Sequence, residues 1–217
     1  MIRALIFDFD GLIVDTETPL IDAYAAVHAK HGIPFDRPVF LRSVGHADYT
    51  FDPWQGFARE ADRPTLEVER RTTKDAAMLH QPILPGVVRL LDDAAIHGLK
   101  VGIASNSTHS WVEPHLIRLG IFDRFNFIAC REDVPSPKPE PDLYKLVLNR
   151  FGLRGYEAIA FEDSHTGSLA AQRAHLHTVA APGPSTAHHD FTHVDLQVTT
   201  LADVHLDHLI LKFTRSA

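Results

Sequence analysis

The chain has 217 residues, of which 45% are hydrophobic, so it is long enough to bury a substantial core and falls between one and two domains in size. Its 28 Asp and Glu residues outnumber its 21 Lys and Arg residues, and the resulting net charge of −7 disfavours nonspecific attraction to nucleic acid or to an anionic membrane. The single cysteine, Cys130, excludes an internal disulfide and fits a reducing compartment.

Nothing in the sequence suggests targeting to a membrane. The N-terminus lacks the apolar core and cleavage site of a signal peptide. No apolar run approaches the ~18 residues of a transmembrane helix. We therefore expect a soluble, cytoplasmic and monomeric protein with no nucleic-acid partner and no membrane partner.

The first predicted strand is apolar and ends in two acids and a glycine, in the sequence IFDFDG at residues 6–11. Because alternate residues of an extended chain point the same way, Asp8 and Asp10 share one side of it. Gly11 lets the backbone turn and approach whatever the carboxylates hold. Taken alone, two acids after a buried strand are equally compatible with helix capping.

A helical segment follows this strand. Asp15 or Thr16 can cap a helix over residues 17–30. The pattern stays helical and poor in strands, through residues 39–44 and 65–80, until a proline-rich return at residues 81–86 that suits a hinge or linker. We therefore predict a helical domain over residues 15–81, inserted into a second domain formed by residues 1–14 and 82–217.

From residue 87 the chain alternates short strands with helices, which is typical of a parallel sheet covered by helices on both faces. The predicted strands are 99–104, 126–130, 158–161 and 178–181, and the predicted helices are 87–97, 110–119, 141–151 and one from residue 168. The fold class is therefore α/β, a Rossmann-like parallel-sheet core with helices on both faces plus an inserted α-helical domain. In open sheets of this kind, ligands bind beyond the carboxyl ends of the strands.

Polar residues follow three of the predicted strands and therefore meet at that edge of the sheet. In chain order they are Asp8 and Asp10, then Ser105 and Asn106, and finally Glu162 and Asp163, with Lys138 on a proline-rich loop between the last two pairs. Carboxylates are hard oxygen ligands that suit Mg²⁺. A magnesium site facing a lysine and a hydroxyl-amide turn is chemistry for a phosphoryl group. Each residue alone also fits a structural role as a cap, a surface charge or a helix-terminus acid.

The segments Asp8-Phe9-Asp10-Gly11, Ser105-Asn106-Ser107, Lys138-Pro139 and Glu162-Asp163-Ser164 resemble, in order and spacing, the four motifs of haloacid dehalogenase-like (HAD) phosphohydrolases. The likeness extends to Thr16-Glu17 and covers essentially the whole chain. A helical cap between the first and second motifs is as in the β-phosphoglucomutase-like branch of the family.

The resemblance implies a two-step phosphatase reaction. Asp8 is implied to attack phosphorus and form an aspartyl-phosphate. Asp10 is implied to protonate the leaving alkoxide and then to activate water, which requires its pKa to be raised from ~3.9. Ser105 and the backbone N–H of Asn106 would hold the phosphate oxygens, and Lys138 would reduce the repulsion between Asp8 and the phosphate.

The resemblance also implies a bound Mg²⁺, held by the Asp8 carboxylate, the Asp10 carbonyl and Asp163. Glu162 would support these ligands or reach the metal through water, and Thr16 would support the site from the start of the first helix. The departure from the family pattern at His175, where glycine is usual, predicts a left-handed residue with some backbone strain.

Asp10 excludes the dehalogenase and phosphonate-cleaving branches of the family, which do not carry this second aspartate. Sugar phosphomutases carry it but usually add a cap histidine at the position of Leu20. This difference favours a phosphatase for a small phosphorylated metabolite, such as a sugar phosphate. A β-phosphoglucomutase-like phosphomutase is the alternative, and a non-catalytic phosphate-binding module is the third reading.

Substrate choice is expected to come from the cap. Arg42 is the candidate second phosphate or sugar contact there, although a solvated helix arginine is equally compatible with the sequence. Arg70, Arg71 and Lys74 lie where a later cap helix could face the cleft. The histidines His188, His189 and His193 crowd one stretch, which we read as a solvated loop rather than a zinc site, and His165 is expected to point away from the rim.

Overall fold

The structure is a computed structural model that describes residues 1–41, 52–57 and 62–214. Arg42, the candidate substrate contact, lies outside these ranges. The described chain forms a six-stranded sheet with the order β3-β2-β1-β4-β5-β6, in which every pairing is parallel. The strands are β1 (Ala4–Phe7), β2 (Lys100–Ala104), β3 (Phe127–Ala129), β4 (Ala158–Glu162), β5 (His177–Ala180) and β6 (Leu196–Gln197).

Eight α-helices lie within the described residues. They are α1 (Glu17–Lys30), α2 (Arg37–Leu41), α3 (Arg63–Met78), α4 (Val87–Ile96), α5 (His109–Arg118), α6 (Asp142–Phe151), α7 (His165–Arg173) and α8 (Leu206–Thr214). The predicted α/β fold class is confirmed, and most predicted elements agree with the structure to within three residues at each end.

The sheet is buried on both faces, which explains why its strands read as continuous apolar runs. Along β1, Leu5 and Phe7 belong to one core cluster, which includes residues of α4, α5 and α8. The alternate residues Ala4 and Ile6 belong to the second cluster, with residues of α6 and α7. Phe7 stacks on Phe161 of β4 at 4.9 Å between ring centroids. Packing on both faces therefore fixes β1 at the centre of the sheet.

Helices α1, α2 and α3, which we call the helical insertion, lie between β1 and α4 in the chain. Their apolar residues pack together, with Val27 and Leu66 in one cluster that also includes Trp54 from the turn before α3, and with Ile21 and Phe40 in another. The division of the chain into an inserted domain of residues 15–81 and a core of residues 1–14 and 82–217 stays a prediction.

The insertion joins the rest of the chain through two adjacent backbone segments. Val14 forms an antiparallel bridge with Ile83. Next to it, the Leu84 N–H donates to the Ile13 carbonyl at 2.8 Å. The segment that enters the insertion and the segment that leaves it are therefore hydrogen-bonded side by side.

The structure corrects the sequence interpretation in the C-terminal half. Helix α7 begins at His165 instead of Ser168, because Ser164 acts as its N-cap and its Oγ accepts a hydrogen bond from the Gly167 N–H at 3.1 Å. Strand β6 and helix α8 follow the last predicted strand and were not predicted. The buried residues of α8 recur at helical spacing, which was the available signal.

His175 adopts φ = 62°, and it is the one residue other than glycine with a positive φ in the described part of the chain. The predicted left-handed conformation is confirmed at this position. Across residues 1–41, 52–57 and 62–214, no helix has the combination of length and apolar character that a bilayer crossing requires.

Candidate active site

The central strands β2, β1 and β4 bring together the polar residues that were predicted at the strand ends. Asp8 follows β1 directly, Ser105 follows β2, and Glu162 and Asp163 lie at the end of β4. Because these strands are parallel neighbours, their carboxyl ends lie at one edge of the sheet. The backbone N–H of Asp8 donates to the Phe161 carbonyl at 3.0 Å, which continues the β1–β4 pairing into the site.

Lys138 is the positive centre of this group. Its Nζ donates to Asp8 Oδ1 at 2.7 Å and to Glu162 Oε1 at 2.6 Å, and the residue is only 6% exposed. Burial alone would lower the pKa of Lys138, but the charges of Asp8 and Glu162 raise it above its usual value. The lysine is therefore a permanent cation fixed between two carboxylates.

Asn106 holds the loop that carries this lysine. Its Oδ1 accepts from the Lys138 backbone N–H at 2.9 Å, and its Nδ2 donates to the Lys138 carbonyl at 3.1 Å. Ser105 is fully buried, and its Oγ accepts from the Ser107 N–H at 3.0 Å. The sequence assigned Asn106 a role through its backbone, whereas the structure adds one for its side chain, which positions Lys138.

Three buried acids form the candidate metal centre. Within the described residues, Asp8, Glu162 and Asp163 are the one group of three or more potential ligands whose donor atoms all lie within 4.8 Å of one another. Burial raises the pKa of Asp8 to about 7, with Lys138 opposing the rise and Glu162 and Asp10 adding to it. Burial and the neighbouring charge of Asp8 raise the pKa of Asp163 well above its usual range. Crowded carboxylates of this kind are stabilised by a cation.

Further details of the site fit a hard divalent cation. Glu162 Oε2 is buried, and it has no hydrogen-bond partner among the described residues. Gly11 has φ = +76°, and a Cβ at this position would lie 2.2 Å from Asp163 Oδ2. A glycine is therefore required for the first loop to approach the acids so closely.

Tyr144 and Gly167 fix the orientation of Glu162. The Tyr144 hydroxyl donates to Glu162 Oε1, and the tyrosine is fully buried. A Cβ at Gly167 would lie 2.0 Å from Glu162 Oε2. Tyr144 was not predicted from the sequence, although its place on the buried face of the helix after the Lys138 loop was an available signal.

Asp10 has different neighbours from Asp8. Its Oδ1 accepts from Trp111 Nε1 at 2.9 Å, and its Oδ2 accepts from Ser107 Oγ at 2.6 Å. The sequence analysis did not assign Trp111 a role, since an aromatic residue in the first turn of a helix carries no signal of its own. The two aspartates therefore lie in separate hydrogen-bond environments.

The start of α1 adds Glu17 to the site. Burial raises the pKa of Glu17 to about 7, and the charges of Asp10 and Asp15 add to the rise. Glu17 and Asp163 line a cavity of about 190 Å³. Of the two predicted caps, Asp15 is the one whose side chain acts, because its Oδ1 accepts from the Thr18 N–H at 2.9 Å. Thr16 is buried at the N-cap position, and its supporting role stays a prediction.

Of Arg70, Arg71 and Lys74, the α3 residues singled out from the sequence, only Lys74 contacts a hydrogen-bond partner of Asp10. Its Nζ lies 3.8 Å from the centroid of the Trp111 ring. Arg70 instead pairs with Glu67 and lies over the Tyr24 ring within the insertion. Arg71 is exposed.

The histidine-rich stretch is held by contacts of its own. His165 Nδ1 lies 2.7 Å from the Asp190 carbonyl. His193 Nε2 lies 2.9 Å from Ser168 Oγ. As far as the chain is described, neither histidine belongs to a group that could hold a metal.

Comparison with known proteins identifies the family of the chain. The model of the haloacid dehalogenase-like hydrolase family matches residues 2–175. YhcW of Bacillus subtilis (strain 168), whose name includes the word phosphatase, is 36% identical over 217 residues, which cover 96% of this chain and 98% of YhcW. Hexitol phosphatase B of Escherichia coli (strain K12) is 30% identical over 215 residues, which cover 94% of each chain.

A solved structure also matches over nearly the full length. The crystal structure of CbbY from Rhodobacter sphaeroides in complex with phosphate has a TM-score of 0.72 and 26% sequence identity, and the match covers 94% of this chain and 96% of that chain. The family match spans well over half of the sequence, and the names of YhcW and hexitol phosphatase B both include the word phosphatase. The chain therefore belongs to the haloacid dehalogenase-like hydrolases and is a phosphatase of phosphoric monoesters.

Proposed function

We propose that this phosphatase removes the phosphate from a small phosphorylated sugar or similar metabolite, with Mg²⁺, through an aspartyl-phosphate on Asp8. The observation that carries the proposal is the separation of the two aspartates. Asp8 pairs with Lys138 beside the other buried acids, whereas Asp10 is held by Trp111 and Ser107. Two carboxylates in two environments are suited to two chemical roles.

In the first step, Asp8 attacks phosphorus with the oxygen that Lys138 does not hold. The bond from phosphorus to the substrate oxygen breaks, and Asp10 gives that leaving oxygen a proton. Lys138 keeps Asp8 ionised for the attack and offsets its repulsion from the phosphate. The direction of this effect agrees with the lowering that Lys138 exerts on the pKa of Asp8.

In the second step, water attacks the phosphorus of the aspartyl-phosphate while Asp10 accepts its proton. The bond between phosphorus and Asp8 breaks, and inorganic phosphate leaves. Ser105 and the backbone N–H of Asn106 hold the peripheral phosphate oxygens, whose bonds to phosphorus stay intact throughout. Asn106 also keeps Lys138 in place through its side chain.

The metal would be held by the Asp8 and Asp163 carboxylates and the Asp10 carbonyl, with Glu162 behind them or linked through water. When bound, Mg²⁺ supplies the positive charge that neutralises the phosphate and the acids around it. The clustering of the acids within 4.8 Å of one another and the close approach of Gly11 support this choice of ligands.

The helical insertion is proposed to act as the cap that selects the substrate, with residues 15–81 as its extent and Arg42 as a substrate contact. The name of hexitol phosphatase B, a relative with 30% identity, supports a phosphorylated polyol or sugar as the substrate class. The cytoplasmic location and monomeric state expected from the sequence stay predictions.

Hydrolysis is favoured over a phosphomutase reaction by the residue that replaces the cap histidine. Leu20 packs against the cluster of Ile21 and Phe40 inside the insertion and offers no polar group to the cleft. A phosphomutase must hold its sugar phosphate while the molecule reorients within the site. Without a polar anchor at this position, water is the better acceptor of the phosphoryl group.

The direct test is a panel of sugar, polyol and short-chain phosphates assayed for phosphate release with Mg²⁺. We expect hydrolysis by the wild type, loss of activity in Asp8→Asn, and a changed substrate preference in Arg42→Ala. Full activity in Asp8→Asn would contradict the covalent mechanism. Interconversion of two sugar phosphates faster than phosphate release would show that the enzyme is a mutase.

A further inference from the structure

Lys74, Trp111 and Asp10 form a line of contacts from the helical insertion to the acid/base of the proposed reaction. Lys74 lies on α3 of the insertion, and its ammonium group is 3.8 Å from the centroid of the Trp111 ring. Trp111 lies in the first turn of α5, and its indole N–H donates to Asp10 Oδ1 at 2.9 Å.

The indole ring of Trp111 is held on more than one side. The His115 ring, one turn later on α5, packs edge-on against it at 4.4 Å. His115 in turn stacks on Phe9, which lies between the two aspartates in the chain, at 6.2 Å. Lys74 covers a face of the indole, where a cation interacts favourably with the ring. The direction of the Trp111 N–H is therefore set both by His115 on the same helix and by Lys74 of the insertion.

The contacts of Asp10 leave it able to react. A carboxylate has about four lone-pair positions. Ser107 uses one on Oδ2, and Trp111 uses one on Oδ1. Each oxygen therefore keeps a free position for the leaving group of the substrate or for water, while the two donors fix the plane of the carboxylate.

Lys74 is placed to act through the ring of Trp111. Within the described ranges it makes no ion pair, although the charges of Asp10 and Glu17 act on it. A cation over an indole face interacts favourably with the ring, so the ammonium group of Lys74 is held beside the ring that donates to Asp10. The contact forms only while α3 lies against α5.

We propose that Trp111 is a positioning residue for Asp10 and that Lys74 completes this positioning when the insertion lies against the sheet region. Proton transfer by Asp10 then depends on the insertion being docked. The proposal rests on the proposed function, because it takes Asp10 to be the acid/base. Trp111 and Lys74 are therefore expected to affect kcat and to leave KM unchanged.

The test compares kcat and KM in variants that remove the parts of the contact separately. Trp111→Phe keeps an aromatic face and removes the N–H donor, and we expect kcat to fall about tenfold or more with KM within about twofold. Lys74→Met keeps the apolar stem and removes the charge, and we expect a fall in kcat of about threefold to fivefold. Lys74→Arg keeps a cation over the ring and should restore kcat to within about twofold of the wild type. Lys30→Met, an exposed lysine of the same insertion, is the matched control and should leave both constants unchanged.

A double-variant cycle decides whether Lys74 acts through Trp111. Trp111→Leu removes both the ring face and the donor, so adding Lys74→Met to it should cause no further loss of kcat. An undiminished effect of Lys74→Met in that background, or a raised KM, would place Lys74 in direct contact with the substrate and overturn the proposal. Wild-type kcat in Trp111→Phe would overturn it as well.

A spectroscopic measurement tests the contact without turnover. The chain has two tryptophans, so Trp54→Phe leaves Trp111 as the single fluorescent indole. In that background, Lys74→Met and Asp10→Asn should each change the emission of Trp111, with an unchanged urea midpoint as the folding control. Unchanged emission in both would contradict the contact. If the wild type hydrolyses nothing in the substrate panel, the proposed function fails, whereas this measurement still decides whether Lys74 and Asp10 both act on Trp111.

Discussion

Asp8 and Lys138 show how a single buried side chain serves both folding and chemistry. Lys138 is 6% exposed and contacts two carboxylates, of Asp8 and Glu162. A buried ion pair contributes little net stability, but removing one partner leaves the other charge unpaired in a medium of low dielectric constant. The stability of this region and the ionisation of Asp8, the proposed nucleophile, therefore depend on the same ammonium group.

Replacing Lys138 by methionine should reduce both stability and activity. The buried acids lose their cation, so we expect the free energy of unfolding to fall by about 3–5 kcal/mol at pH 8. We expect kcat to fall at least about 100-fold, since the phosphate also loses a charge-stabilising group. Urea unfolding and phosphate release measure the two effects. Lys145→Met, at an exposed position of α6, is the control; a kcat of Lys138→Met within twofold of the wild type would contradict the role of Lys138.

Glu17 gives a prediction with a defined pH dependence. Its pKa is raised from 4.5 to about 7 in the folded chain, mainly by burial. An acid whose folded pKa is raised binds more protons in the folded state, so stability is lost as pH rises from the unfolded pKa through the folded one. Glu17→Gln does not titrate and should therefore gain stability relative to the wild type as pH rises from 4.5 to 8, by at most about 3 kcal/mol. Urea unfolding at both pH values measures the difference, and an equal difference at the two pH values would contradict the raised pKa.

Residue-scale reasoning from sequence was limited by contacts that are distant in the chain. Asp8, Lys138 and Asp163 were predicted because carboxylates and a lysine at strand ends and in a loop carry chemical signals of their own. Tyr144 and Trp111 were not, since each is an aromatic residue on a helix and only the folded structure shows which carboxylate accepts its hydrogen bond.

At the scale of elements, the loop after β1 is shaped by one glycine. Gly11 has φ = +76°, and a Cβ there would overlap Asp163 Oδ2. Its N–H donates to the Val14 carbonyl at 2.8 Å, which closes the turn. The loop therefore leads from the first strand to the insertion and passes close to Asp163.

Gly11→Ala should lower the affinity for Mg²⁺, in addition to the loss of stability that any left-handed alanine causes. Gly120 provides the matched control, because its φ is +69° but a Cβ there meets nothing within 4 Å. Both substitutions place an alanine in the left-handed region, at a conformational cost of about 1–2 kcal/mol each. Only Gly11→Ala also displaces Asp163, so only this variant should require at least about tenfold more Mg²⁺ for half-maximal activity. The same Mg²⁺ requirement in both variants would show that Gly11 has no role beyond its backbone conformation.

Element boundaries were predicted well where hydrophobic periodicity was strong and less well where a cap decided them. The limits of α1 agree with the prediction, because its pattern is bounded by an acidic start and a Gly-Pro end. Helix α7 begins earlier than predicted, since the serine that caps it follows the acids of the site. Strand β6 has only two residues, which is too short for a periodic signal.

At the scale of the whole molecule, cation binding at the proposed metal site should contribute to stability. A cation that binds the folded chain and not the unfolded one stabilises it by about 2.7 kcal/mol at 100 times its dissociation constant. For a chain of this size, that corresponds to a rise in Tm of about 5–10 °C. We expect this rise on adding excess Mg²⁺ after treatment with EDTA, and its absence in Asp163→Asn. A similar rise in that variant would place the cation elsewhere.

The overall architecture was predictable because the strands of a buried parallel sheet are short apolar runs that alternate with helical segments along the sequence. The order of strands placed β1 at the centre, so its acids necessarily lie at the meeting point of the neighbouring strand ends. What the sequence alone left open was the contact between the insertion and the sheet region. The position of Lys74 over Trp111 depends on how two helices of different parts of the chain approach one another.

The bridge between Val14 and Ile83 has a consequence for how this fold changes in evolution and in engineering. The two ends of the insertion are already tied side by side at the edge of the sheet. Once the ends of a loop are fixed together, each doubling of the length between them adds only about 0.6 kcal/mol of closure entropy. Segments of very different length can therefore be exchanged at this junction as a cassette. The α/β part of the chain can then stay constant, while each exchanged segment supplies a different set of residues for the proposed role in substrate selection.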